Sequence, residues 1–287
     1  MESISFNSFQ FKKNPISIVL EIAGISIRIC TENFQLTASA KERFKKFISP
    51  HNDYFLNLDV HLSPKIHFPN ADGTEDFFNN QVFQNEKCTI YSNYFTGYIA
   101  IEKNYGKLIC ADYDPLSWLE HFLRIAYAVV VLKKGALLFH GAGLVKNENG
   151  FVFFGPSGCG KSTVTELSQP CTTLGDDLIV IKKNNNHFYI HATPFNSEKN
   201  DFLLTNTNSS IKSFYRLIQN KTTFIKEMSQ ANATAELLSS ISSVNKNYDG
   251  SLTAIDLCSE IVNQIPCYEM HFTRDNKFWR YVNGNSE

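Results

Sequence analysis

Nine consecutive residues carry the clearest chemistry in this chain: Gly155, Pro156, Ser157, Gly158, Cys159, Gly160, Lys161, Ser162 and Thr163 spell a complete phosphate-binding loop. Glycines at 155, 158 and 160 let successive backbone N–H groups turn inward around a polyphosphate with no Cβ in the way. Lys161 can then reach the β- and γ-phosphates, and Ser162 offers a hydroxyl to Mg²⁺. A short apolar run at 151–154 precedes the loop and a helix-compatible stretch opens at Lys161, so the helix would add its partly positive N-terminus to the anion site. A nucleoside triphosphate or pyrophosphate ligand follows from this pattern. Cys159 reads as a small residue tolerated inside the loop.

A phosphate loop needs an acid to hold or orient Mg²⁺. The nearest candidates are Asp176 and Asp177, after Leu174-Gly175 and before the apolar run 178–181. One carboxylate could take a proton from an incoming hydroxyl while the other binds the metal, directly or through water. Their order excludes the ABC transporter ATPases, whose loop has similar letters: there the second acidic motif closes an apolar strand, whereas here the acids come first. A Leu-Ser-Gly-Gly-Gln type signature is also missing. His140 lies 15 residues before Gly155. A strand, a hairpin turn and a return strand fit that gap and would bring His140 beside the phosphates.

The elements that must position these groups follow from periodicity and punctuation. Residues 1–114 read as a β-rich region forming a small mixed or antiparallel sheet. Runs at 16–22 and 25–30 flank Ala23-Gly24 as a hairpin, residues 54–62 alternate, and further strands are expected at 88–92, 98–102 and 107–111. Asp112-Tyr113-Asp114-Pro115 signals a helix start, with the helix running to about Lys134 before Gly135. Residues 115–287 form the second region. Strands are expected at 136–139, 143–145, 151–154, 178–182 and 188–192, helices at 161–168, 211–218, 231–241 and 252–265, a strand at 266–273, and a frayed tail beyond it. Phe272 reads as core, with Trp279 left open between core and peptide contact.

Composition narrows the function classes. With 43% hydrophobic residues and a formal net charge of −1, the chain can bury a sizeable core but carries no basic field, which argues against nucleic acid and anionic membrane surfaces as partners. The seven cysteines are scattered, with no C-x-x-C pair, as expected of reduced thiols in a cytoplasmic protein. No secretory signal is read at the N-terminus. Residues 116–132 are the one stretch worth testing as a membrane span; Glu120, His121 and Arg124 interrupt it, and it reads as a buried helix.

Taken together, His140-Gly141, the loop at 155–163, Leu174-Gly175-Asp176-Asp177 and Ala192-Thr193-Pro194-Phe195 occur in the order and approximate spacing of the C-terminal catalytic domain of HPr kinase/phosphorylase. More closely, the chain resembles HPr-kinase-like proteins found beside peptide-modification genes, some of which phosphorylate a serine in a precursor peptide. The resemblance covers residues 132–192 and reaches faintly to 282; residues 1–114 do not look like the N-terminal domain of the true HPr kinases. It implies an α/β (α+β) fold of the phosphoenolpyruvate-carboxykinase-like type, with a mixed sheet and phosphate loop preceded by the small β-rich region.

The same resemblance implies ATP and Mg²⁺ as cofactors. Lys161 and the loop would hold the phosphates, Ser162 would bind Mg²⁺, Asp176 would be the base that activates the acceptor hydroxyl, Asp177 would support metal or water, and His140 would assist at the phosphate. A Glu-Ile-Arg-Gly type signature, which supplies a further metal ligand in that family, is missing; Glu198 is the only nearby carboxylate in a comparable place. An arginine on the transferring phosphoryl is also expected, with Arg216 and Arg274 as candidates, although each reads more naturally as a solvated surface residue. The implied activity is transfer of the γ-phosphate of ATP to a hydroxyl, foremost a serine of a peptide or protein, by an enzyme that could assemble as a homo-oligomer. The alternatives are a small-metabolite kinase of the same fold and a non-catalytic nucleotide-binding module of a peptide-modification complex.

Overall fold

The computed structural model describes residues 5–66, 79–84, 87–196, 206–242 and 248–282. Its elements run β1 (Ile16–Ile22), β2 (Ile25–Thr31), α1 (Phe34–Arg43), β3 (Leu56–Leu62), β4 (Asn79–Gln84), β5 (Lys87–Ser92), β6 (Phe95–Ala100), β7 (Tyr105–Cys110), α2 (Pro115–Lys133), β8 (Ala136–Lys146) and β9 (Asn149–Phe154). They continue with α3 (Lys161–Leu167), β10 (Thr172–Gly175), β11 (Leu178–Asn184), β12 (His187–His191), β13 (Asn208–Gln219), β14 (Phe224–Glu227), α4 (Gln230–Ser239), α5 (Tyr248–Gln264), β15 (Cys267–Phe272) and α6 (Phe278–Val282). Two compact units divide the chain, Met1–Ala126 and Tyr127–Glu287, so that α2 runs across the division.

In the first unit seven strands form one mixed sheet in the order β1-β2-β3-β7-β6-β5-β4. The β1–β2 hairpin closes over Ala23 and Gly24, both at positive φ, as a two-residue turn that follows strand twist requires. Helix α1, unforeseen in the sequence, is capped by Asn33, whose Oδ1 accepts from the Leu36 N–H at 2.8 Å, and it buries only Leu36, Thr37 and Ala40. By length and composition α2 could cross a membrane. Its apolar side chains are nevertheless spent inside the protein: Leu119, Phe122, Leu123, Tyr127, Val130 and Val131 are fully buried.

The second unit holds the other mixed sheet, eight strands in which β8 is the hub. The pairs β8–β11, β11–β12, β12–β13, β13–β9 and β9–β8 close a circuit, and β15 extends it along β13 in parallel register. The two short runs expected at 136–139 and 143–145 are one eleven-residue strand. A larger difference concerns 211–218, expected as a helix: it is the core of β13. Ile211, Phe214, Tyr215 and Ile218 match a helical repeat, yet β13 has neighbours on both edges. At 213–215 successive side chains are buried on both of its faces, and a strand covered on both faces loses the alternation that would reveal it.

Beyond 273, where the sequence reads as frayed, the described residues include a short helix, α6. Phe278, Trp279 and Val282 of α6 pack with Phe151, Phe153, Tyr215, Leu217 and Phe272 in a single cluster, and the Trp279 indole N–H donates to Ser168 Oγ at 3.0 Å. Trp279 is therefore core, like Phe272. This cluster lies under β9 and α3 and so fixes the two elements on either side of the glycine-rich loop at 155–160.

Candidate functional site

The site is assembled around the middle of β8. Its N-terminal half pairs with β11, with His140 opposite Leu178. Its C-terminal half pairs with β10, with Gly143 opposite Gly175. Strands β10 and β11 thus run along one edge of β8 as a single line, interrupted by a register shift between Thr173 and Gly175 and by Asp176 and Asp177. On its other edge β8 pairs with β9, with Gly141 opposite Phe154, the residue just before the loop. Backbone bonds secure the junction: the Gly141 N–H donates to the Asp177 carbonyl at 3.0 Å and the His140 N–H to the Ser240 carbonyl at 2.7 Å. The expected hairpin between His140 and Gly155 is realised as β8, a turn at 147–148, and β9.

Glycine is required in the loop itself. Gly155, Gly158 and Gly160 sit at φ 141°, 78° and 115°, conformations in which a Cβ is strained. At Gly160 an added Cβ would also lie 2.5 Å from the Phe272 ring. Gly160→Ala is accordingly expected to distort the loop at a cost of about 1–3 kcal/mol and to weaken nucleotide binding at least tenfold, which titration calorimetry on the folded variant would check. Cys159 is 8% exposed and belongs to the core cluster beneath the loop, consistent with a packing role. The Lys161 ammonium donates to the carbonyls of Gly155 at 2.9 Å and Pro156 at 3.3 Å, so the loop holds its own cation in place. Gln219, at the end of β13, donates to the Gly158 carbonyl at 2.8 Å and braces the far side of the loop.

The two carboxylates differ in setting. Asp176 is 2% exposed, whereas the Asp177 side chain is 31% exposed, with its Oδ1 3.7 Å from His140 Nδ1. That distance gives an electrostatic contact when the imidazole is protonated, not a hydrogen bond. Gly175 permits the turn into the pair, since a Cβ there would lie 2.9 Å from the Leu178 carbonyl oxygen. Thr193, fully buried, donates its hydroxyl to that same carbonyl at 2.6 Å. The Ala192-Thr193-Pro194-Phe195 segment therefore pins the start of β11 directly after the carboxylates.

One cleft of about 850 Å³ is lined by His140, Gly155 to Gly158, Gly160 to Thr163, Asp176 and Asp177. Glu198 lies outside the described residues, and Arg274 is exposed and does not line the cleft. Arg216, read from sequence as a surface residue, does line it, together with Gln219, Glu236, Ser239 and Ser240. Reading 211–218 as a strand parallel to β9 would have revealed Arg216, because that register sets it opposite Phe154, one residue before the loop. Among the described residues no group of three or more His, Cys, Asp or Glu side chains could hold a metal ion. The cleft offers the Ser162 hydroxyl and the two aspartates, an oxygen-only set of the kind Mg²⁺ accepts when phosphate oxygens and water complete its coordination.

A family model described as SynChlorMet cassette protein ScmC matches residues 109–284. No curated protein matches the chain. Among solved structures, the chain is similar to the HPr(Ser) kinase/phosphatase from Coxiella burnetii, with 11% identity and a TM-score of 0.31 over 52% of this chain and 92% of that one. A likeness that slight bears on neither fold nor reaction.

Proposed function

The chain belongs to the SynChlorMet cassette protein ScmC family, and from that premise we propose that it is a Mg²⁺- and ATP-dependent kinase that transfers the γ-phosphate to a hydroxyl, foremost a serine of a peptide or protein. The observation that carries this reading is the convergence at mid-β8. There, one cleft is lined by a complete phosphate loop, two adjacent carboxylates and a histidine. A protein that only held MgATP would use one carboxylate for the metal and have no need of a second as a base. Membership of a cassette family fits work on a product of neighbouring genes, such as a peptide. The phosphoenolpyruvate-carboxykinase-like description of the second sheet belongs to the same proposal.

In this mechanism the loop N–H groups and Lys161 hold the β- and γ-phosphates and spread their charge. Asp176, low in the cleft, accepts the proton of the acceptor hydroxyl as it attacks in line with the leaving diphosphate. Ser162 and Asp177 would hold Mg²⁺, which would supply charge neutralisation at the phosphate oxygens. His140, within reach of Asp177, orients that carboxylate and donates to a phosphate oxygen. The seven free thiols fit work in a reducing cytoplasm.

Serine-bearing peptides encoded beside the chain's gene, incubated with it and MgATP, provide the test. Gain of one phosphate on a serine, read by tandem mass spectrometry, is the expected result. Phosphate gained only by small hydroxyl compounds would move the reading to a metabolite kinase. Tight ATP binding with no transfer, and a partner retained on pull-down, would leave a nucleotide-binding module.

A further inference from the structure

We propose that Arg216 is a second phosphate-contacting cation of this cleft, held by Glu236 until a polyphosphate takes it over. The inference rests on reading the cleft as a phosphate site and adds a residue that the loop motif does not contain. Arg216 sits on β13 opposite Phe154, and three residues further on Gln219 grips the loop at Gly158. The strand that carries Arg216 therefore runs alongside the loop and is bonded to it. Glu236 comes from α4, whose C-terminal end is fastened to β8 beside His140 through Ser240 and through the Ser242 N–H, which donates to the Leu138 carbonyl at 2.8 Å. Both side chains line the cleft, and their contact joins β13, beside the loop, to α4.

The contact between them is an incomplete one. Arg216 Nε and Glu236 Oε2 lie 2.8 Å apart, with side chains 24% and 33% exposed. Yet Nε is buried and, among the described residues, its N–H meets no acceptor in hydrogen-bond geometry. The short distance establishes an ion pair; the misaligned N–H leaves a buried donor unsatisfied, which carries a penalty. A polyphosphate on the loop presents several anionic oxygens to the same guanidinium, whose planar fork suits phosphate bidentately. Exchange of one carboxylate for that anion satisfies the donor and releases Glu236 on the α4 side.

Titration of inorganic pyrophosphate with Mg²⁺ into the whole chain tests this, with circular dichroism confirming that each variant folds. Arg216→Gln is expected to weaken binding about tenfold, the loss of one charge-assisted contact. Glu236→Gln is expected to tighten it about two- to fivefold, the scale of a partly exposed ion pair. The double variant should match Arg216→Gln, since nothing is left to hold. Arg216→Lys should recover part of the loss and carries the comparison if Arg216→Gln does not fold. Unchanged binding in the Arg216 variants, or unchanged or weaker binding in Glu236→Gln, overturns the proposal while leaving the loop assignment intact. Wild-type protein that binds no pyrophosphate overturns both.

Discussion

Asp176→Asn should reduce phosphate transfer by about 10²- to 10⁴-fold, the usual worth of a positioned general base, while leaving ATP affinity within a few-fold of wild type. Asparagine keeps the size and much of the hydrogen bonding of the residue, so the tightly enclosed site, 2% exposed in the wild-type protein, can still fold. What it removes is the capacity to take the acceptor's proton as the hydroxyl attacks. Binding survives because the groups that hold the phosphates, the loop N–H donors and Lys161, are untouched. Steady-state kinetics with the serine peptide, paired with calorimetric ATP binding, separates the two effects. A variant with undiminished transfer would take the base away from Asp176 and leave Asp177, the more exposed carboxylate beside His140, as the group to test next.

Lys161→Ala should shift the thermal stabilisation that ATP confers to about 10- to 100-fold higher nucleotide concentration. The ammonium bonds two carbonyls of the loop; a bound phosphate would replace those neutral acceptors with an anion. Hydrogen bonds to charged groups contribute about 1.5–3 kcal/mol, so losing this one weakens binding by about 10- to 100-fold. The variant also loses an internal brace of the loop, which adds to the loss. Differential scanning fluorimetry across an ATP series reads the outcome, and a shift equal to that of wild type would remove the loop from the binding site.

How much of this was legible beforehand depends on how local the signal was. The β1–β2 hairpin was readable because Ala23-Gly24 is turn chemistry between two β-branched runs, and α2 because Asp114-Pro115 and Gly135 bracket it. The loop and the aspartate pair were readable because their chemistry lies in consecutive residues. The neighbourhood of His140 followed from chain length alone, since 15 residues leave room for one hairpin. Arg216 was not legible as a cleft residue. Its position depends on β13 being a strand, and β13 buries both faces at 213–215, so its apolar residues at 211, 214, 215 and 218 imitate a helix. Helices α1 and α6 were missed for the opposite reason: α1 buries three side chains and α6 is five residues long, too little for a periodic signal. The wall of the cleft from α4, with Glu236, Ser239 and Ser240, was invisible because long-range pairing to β8, not local pattern, brings it there.

The most direct test is a single-turnover reaction with γ-labelled ATP, Mg²⁺ and a serine peptide encoded beside the chain's gene, following the label in peptide, nucleotide and free phosphate. A functional kinase cleft, with the phosphate loop and Asp176 working together, moves the label from ATP to the peptide serine, and Asp176→Asn leaves it on ATP. Label that stays on ATP bound to the wild-type protein, or that appears only as free phosphate whatever hydroxyl is offered, would contradict it.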